Sequence, residues 1–171
     1  AGNDSLTGMN ANGEWRMANG TSGQYFSTTT FNFTGFETLI GGAGNDGLLF
    51  TNYSFAANVT IANVNASDGF DVTDANFNGI FRKINSLAGG AGSDTVNGLN
   101  ATSSWQSAVN SYQYVSTNTL DITGFETFVG GNANHTLDFA NLQSPISVVL
   151  TSVGTTEGFN LTEASRAYRN I

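Results

Sequence analysis

The sequence contains no cysteine, a single proline and only 11% charged residues, 5 of them basic and 13 acidic. Without cysteine there are no disulfides and no thiolate metal sites, which excludes a small scaffold held by cross-links. The shortage of Lys and Arg leaves a net charge of −8. Coulomb repulsion then opposes binding to nucleic acid or to an anionic membrane surface, and a small cation is the more natural charged partner. No apolar run approaches the roughly 20 residues that span a bilayer, so membrane insertion is not expected. The first residues, AGNDSLTGMN, have neither a basic start nor an apolar stretch, so no signal peptide is read there and the sequence reads as a mature or excised piece.

What is abundant is glycine, 21 of 171 residues, together with Asn, Ser and Thr. The chain is turn-rich without the composition of a flexible linker or a disordered tail, and it is long enough to bury a sizeable core.

The chain also repeats itself. Laid over residues 91–139, residues 1–50 match AGNDSLTGMNA with AGSDTVNGLNA, Trp15 with Trp105, and TGFETLIGG with TGFETFVGG after one single-residue gap. The register continues at an offset of 89, pairing Val59 with Val148, Gly69 and Phe70 with Gly158 and Phe159, and Ala75 with Ala164. FRKI at 81–84 meets YRNI at 168–171 after a further shift of two. The expected organisation is one continuous domain, 1–171, of two tandem copies, 1–90 and 91–171, the second cut short. An anchor phrase ending in Gly-Gly recurs at 36–42, 84–90 and 125–131 and subdivides each copy.

Between anchors lie short alternating segments such as NVTIANV at 58–64 and SVVLTSV at 147–153, which read as half-buried strands. The best helical signal, LTEASRAYRNI at 161–171, has a capping Thr162, but its counterpart in the first copy contains a Gly, so it is assigned as a loop or single turn. The fold class expected is all-β, a parallel β-helix or β-solenoid. At about 20 to 24 residues per coil it would have roughly eight coils and a length of about 40 Å. Two tandem β-sandwiches of about 89 residues each are the alternative.

GFETLIGGAGNDGLLF is similar to the repeat regions of very large secreted bacterial surface proteins and adhesins, which mix such phrases with haemolysin-type calcium-binding nonapeptides. The resemblance covers nearly the whole chain and implies an extracellular, cell-surface β-structure without naming a ligand. In the nonapeptide pattern glycines permit left-handed backbone, an Asp supplies hard oxygen and an apolar residue plugs the core. Gly41, Gly42, Gly44, Asp46 and Leu48 fit it, as do Gly89, Gly90, Gly92, Asp94 and Val96, and Asp4 stands at the start of a third match. A calcium-filled roll needs such motifs every nine residues, whereas these lie more than forty apart. The third anchor places His135 and Ala133 where Asp46 and Gly44 stand. The first reading is therefore a glycine corner in which Asp caps backbone amides. Calcium at Asp46, Asp94 and Asp4 is the second, so no cofactor is required and calcium is the one candidate.

Asp68, Asp71 and Asp74, spaced by three and matched by Glu157, Asn160 and Glu163, form a secondary acidic cluster. It is read as a solvated loop, with convergence on an ion as the alternative. Trp15 and Trp105, with Tyr112 and Tyr114 nearby, suit core packing, or a glycan-binding platform if exposed. Glu37, Asn85 and Glu126 share one place in the anchor phrase and would line up in a surface file or a hydrogen-bonded ladder. Catalysis needs a close carboxylate pair in distinct environments, which equivalent places in tandem copies do not provide. The lone His135 lacks the partners of a metal site or a triad and reads as an ordinary turn residue.

The function expected from these readings is a non-catalytic structural segment of a secreted bacterial surface protein or fibre. The alternatives are a calcium-dependent folding or secretion module and a glycan-binding module. Head-to-tail self-association and surface glycans are the candidate partnerships: open coil ends would expose unpaired strands, and excision from a longer protein accounts equally well for the same ends.

Overall fold

The computed structural model describes residues 2–108 and 110–171, and every regular element within them is a β-strand. The chain begins in one sheet with β1 (Ser5–Thr7). It crosses to a second sheet for an antiparallel meander of β2 (Gly13–Met17), β3 (Ser22–Phe26) and β4 (Thr30–Thr34), and returns as β5 (Thr38–Ile40). It then crosses for β6 (Asp46–Leu49), lays a meander in the first sheet as β7 (Asn58–Val64), β8 (Phe70–Asp74) and β9 (Ile80–Ile84), and crosses again for β10 (Ser86–Ala88).

The same alternation of single strands and meanders follows. β11 (Thr95–Asn97) leads to a meander of β12 (Ser103–Ala108), β13 (Ser111–Val115) and β14 (Thr119–Thr123). Then come β15 (Thr127–Val129), β16 (His135–Asp138) and a last meander of β17 (Val148–Val153), β18 (Phe159–Glu163) and β19 (Arg166–Arg169).

The ten-stranded sheet runs β1-β5-β9-β8-β7-β11-β15-β19-β18-β17 and the nine-stranded sheet β16-β12-β13-β14-β10-β6-β2-β3-β4. Strands brought together by winding pair in parallel, as in β1 with β5, β7 with β11 and β6 with β10. This is a β-solenoid arrangement of about four turns rather than roughly eight. The expectation failed because each meander adds three rungs, about 14 Å of sheet, in a single pass, so a turn consumes far more residues than a simple coil. Both sheets contain strands from both halves of the chain, which is not the arrangement of two separately closed sandwiches. Residues 161–171, expected as a loop or turn, instead form most of the β18–β19 hairpin, whose tip holds Ala164 in left-handed backbone at φ 49°. Pairing of β19 with β15 satisfies more backbone groups than one capped helical turn would.

Register aligns the core. Across the nine-stranded sheet Tyr25, Trp15, Leu48, Leu87, Ile122 and Tyr112 stand opposite one another in one file. Across the other, Val59, Val96, Phe128, Tyr168 and Leu161 do the same. All are buried and belong to one apolar cluster. The two files meet between the sheets, where the Tyr112 ring lies 4.4 Å from that of Phe128, which also stacks on Tyr168 at 5.3 Å and touches Trp105 edge-on at 5.4 Å. The TGF phrase that enters β5 and β15 turns on Gly35 and Gly124, at φ 75° and 69°, where a side chain would strain the backbone.

Phe128→Ala removes the ring on which both files converge. It is expected to cost about 3 to 5 kcal/mol, measured as a fall in urea midpoint at unchanged m-value.

Candidate functional site

The glycine motifs all lie where the chain passes from a strand of the ten-stranded sheet into the nine-stranded one, or back. The sharp bend turns amides inward, away from water, and a buried N–H without a partner costs about 1 to 3 kcal/mol. One side chain per corner answers this. The Asp46 Oδ2 accepts from the Gly42 N–H at 2.7 Å, and the Asp94 Oδ2 accepts from the Gly90 N–H at 2.7 Å. His135 takes the same role at the third corner, its Nε2 accepting from the Gly131 N–H at 2.7 Å. The residue read as an ordinary turn histidine is thus a working replacement for the motif Asp. Imidazole reproduces the acceptor without the charge, an equivalence that ligand-type reasoning about hard oxygens does not consider.

The second acceptor position differs at each corner. Asp94 Oδ1 accepts from the Ala57 N–H at 2.7 Å. His135 Nδ1 lies 2.7 Å from the Ser103 hydroxyl; since Nε2 is accepting, neutral imidazole carries its proton on Nδ1 and donates it to Ser103. Ser103 stands opposite His135 in the β12–β16 pair, and the matching place opposite Asp46 is Gly13. Gly13 has no side chain to offer, and the buried Asp46 Oδ1 has no hydrogen-bond partner. Burial, with the negative Asp68 nearby, pushes the Asp46 carboxyl up to about 6, against the lowering effects of the Gly42 and Gly13 amides and of Lys83. Burial lowers the His135 pKa, opposed by the nearby Glu157.

A second contact joins Asp4, Asp46 and Asp94 to the next turn. The Glu37 carboxylate accepts from the Asp4 N–H at 2.8 Å, the Asn85 Oδ1 from the Asp46 N–H at 2.9 Å, and the Glu126 carboxylate from the Asp94 N–H at 2.8 Å. In return the Asp4, Asp46 and Asp94 carbonyls accept from the amides of Glu37, Asn85 and Glu126 at 3.1, 2.8 and 3.2 Å. The anchor-phrase polar residue and the motif Asp therefore form a reciprocal clip, repeated three times. Glu37, Asn85 and Glu126 do not bond to one another in a ladder; each is half-buried and bonds instead to the motif Asp of the adjoining turn.

The acidic cluster does not converge. Asp71 and Asp74 alternate onto opposite faces of β8, and both are buried, which corrects the solvated-loop reading. Asp71 accepts from Asn63 and Asn65 at 2.8 Å each and from Arg82 at 3.1 Å. Its remaining contact is the amide of Lys83, 3.4 Å away at a bulge where Lys83 adopts φ 59°. Asp74 accepts from the Asn58 and Asn76 amides and from Tyr53, and burial raises its pKa. Asp68, half-buried, accepts from Asn85 at 2.9 Å. Asp71 and Asp74, three apart on β8, point to opposite faces, which period-two geometry foretells once the segment is recognised as a strand, while Asp68 lies in the bend before it.

Trp15 and Trp105 are fully buried against Tyr25 and Tyr114, at 4.5 and 4.6 Å between ring centroids. This corrects the glycan-platform reading, since no face is open for a sugar to stack on. As for calcium, both Asp94 oxygens already accept amides, the third corner carries an imidazole, and the clip occupies the Glu37 and Glu126 carboxylates. Among the described residues no group of three or more His, Asp or Glu side chains is placed to hold a metal ion. This donor set does not fit a calcium-filled roll. No family model, curated protein or solved structure matches the chain.

The two titratable corners respond to pH in opposite directions. Asp46 is raised from 3.8 to about 6, so its contribution to stability is complete below about pH 4 and is lost as pH rises through about 6. Asp46→Asn is expected to gain on the wild type by up to about 3 kcal/mol between pH 4 and pH 7; a difference that stays flat in denaturant titrations at the two pH values refutes the assignment. His135, lowered from 6.5, supports the fold above that value and loses its contribution as pH falls below it. His135→Gln is expected to remove that acid-side loss.

Proposed function

We propose that the chain is a non-catalytic structural segment of a secreted bacterial surface protein or extracellular fibre, composed of two tandem copies spanning 1–90 and 91–171. The observation that carries this reading is the reciprocal clip. The polar residues of the recurring phrases, those that a catalytic or ion site would need, are engaged in holding one turn to the next at Asp4 and Glu37, Asp46 and Asn85, and Asp94 and Glu126. The tandem organisation is supported by contacts that recur at matched places. Tyr25 accepts from the Met9 amide as Tyr114 does from that of Leu99, at 2.8 and 2.9 Å, and the alternation of meanders and single strands runs twice through the chain. Extracellular placement rests on the resemblance to secreted surface proteins and agrees with the absence of cysteine.

A calcium-dependent folding or secretion module is the second reading. One observation favours it: the buried Asp46 Oδ1 lacks a partner and lies near the negative Asp68, an arrangement that a cation would relieve.

Melting separates the two. On the structural reading the midpoint with excess calcium and with chelator agrees within about 1 °C, whereas a specific ion at 100 times its Kd would add about 2.7 kcal/mol and several degrees. Glu126→Leu, which breaks one clip, is expected to lose about 1 to 2 kcal/mol whether or not calcium is present. A loss seen only with calcium favours the second reading.

A further inference from the structure

We propose that Asn19 is a self-modification site: the turn between β2 and β3 holds its side chain for attack by the Gly20 amide nitrogen, and the folded chain converts this one asparagine to aspartate and isoaspartate without an enzyme. The inference stands apart from the structural and calcium readings, since it uses neither the glycine corners nor the edges of the sheets.

A following glycine leaves such an attack unhindered, and the sequence has four Asn-Gly pairs, beginning at Asn12, Asn19, Asn78 and Asn97. The fold closes three of them at the attacking nitrogen. The Gly13 N–H donates to the Asn45 carbonyl at 3.3 Å, the Gly79 N–H to that of Phe77 at 2.9 Å and the Gly98 N–H to that of Val129 at 2.8 Å. Removing any of those protons sacrifices a hydrogen bond. Asn97 is also held at its leaving group, the Nδ2 donating to Asn58 and to the Val59 carbonyl at 2.9 Å each. Among the described residues nothing accepts from the Gly20 N–H or from the Asn19 Nδ2.

The side-chain carbonyl of Asn19 is the other half of the site. Its Oδ1 accepts from the Thr21 N–H at 2.9 Å, the Thr21 hydroxyl at 3.1 Å and the Ser22 N–H at 3.0 Å. Bonding to the amide two residues on folds the side chain back over the Asn19–Gly20 peptide. The three donors also stabilise the negative charge that builds on Oδ1 during attack, as an oxyanion hole does. Asn19 is exposed to water and base, while backbone bonds from Ala18 and Asn19 to the Ser22 carbonyl and from Gly35 to that of Thr21 keep the turn in shape. In the reaction the Gly20 nitrogen loses its proton to base and bonds to Asn19 Cγ, the Cγ–Nδ2 bond breaks, and Nδ2 leaves with a proton from water as ammonia. Water then opens the cyclic imide at one carbonyl or the other, giving aspartate or isoaspartate. Either product adds a negative charge. Isoaspartate also lengthens the main chain beside Gly20, where a Cβ would already collide with the Asn76 carbonyl of the β8–β9 turn, so it disturbs a contact between the two sheets.

Peptide mass mapping of the folded protein held at mildly alkaline pH tests this, with the same chain in urea as the reference. In urea the four pairs are expected to convert at similar rates; in the folded protein Asn19 is expected to convert while Asn12, Asn78 and Asn97 remain amides. Thr21→Val removes the hydroxyl donor at an exposed position. It is expected to slow conversion of Asn19 in the folded protein by about 3- to 10-fold, less than the loss of a buried oxyanion donor because water screens the turn, and to leave the rate in urea unchanged. Thr21→Ser, which keeps the hydroxyl, is expected to match the wild type. A folded protein in which Asn19 lasts as long as Asn97, or in which Asn78 converts as fast as Asn19, overturns the proposal. So does a Thr21→Val variant whose folded-state rate at Asn19 equals that of the wild type and of Thr21→Ser.

Discussion

A chain that winds between two sheets must turn a corner at every crossing, and each corner directs backbone amides away from water. Satisfying those amides is the constraint on which the rest of the structure depends. One acceptor atom does it at each glycine motif, in Asp46, Asp94 and His135, always at 2.7 Å from the amide of the second glycine. With that bond in place a strand can leave the corner in register with the strand of the previous turn. The apolar files through Trp15, Leu48 and Leu87 and through Val59, Val96 and Phe128 can then align.

The same constraint sets the polar contacts within the corners. At Asp94 both carboxyl oxygens accept backbone amides, from Ala57 and Gly90. Where one donor is missing, as at Asp46 opposite Gly13, burial holds the carboxyl partly protonated near neutral pH. Where the charge is absent altogether, as at His135, a serine supplies the second contact. The corners thus differ in electrostatics while sharing one geometry, and it is geometry that stacks the turns.

Stacking of this kind has no natural end. Each turn templates the next through parallel pairing, and a terminal turn leaves an edge whose apolar residues would be core anywhere else in the molecule. Leu150, Phe159 and Phe31 occupy such places.

Much of this was legible in the residues themselves. Alternation at 58–64 and 148–153, the glycine phrases, and the recurrence of Trp15 in Trp105 were enough for an all-β, wound, repetitive chain. A corner capped by Asp followed from the acceptor chemistry of that side chain beside glycines, whereas the pairing of Glu37, Asn85 and Glu126 with Asp4, Asp46 and Asp94 did not. What sequence could not decide was anything that depends on which strand becomes whose neighbour. Hydrogen-bond pairing is non-local: no pattern within β2 to β4 says that the strands fold back as a meander rather than climb as separate coils, and the number of turns changed with that choice. The burial of Asp71 and Asp74, the equivalence of His135 to an aspartate and the exposure of β17 were likewise decided by tertiary structure, because each depends on a donor or a covering strand that the chain supplies from tens of residues away.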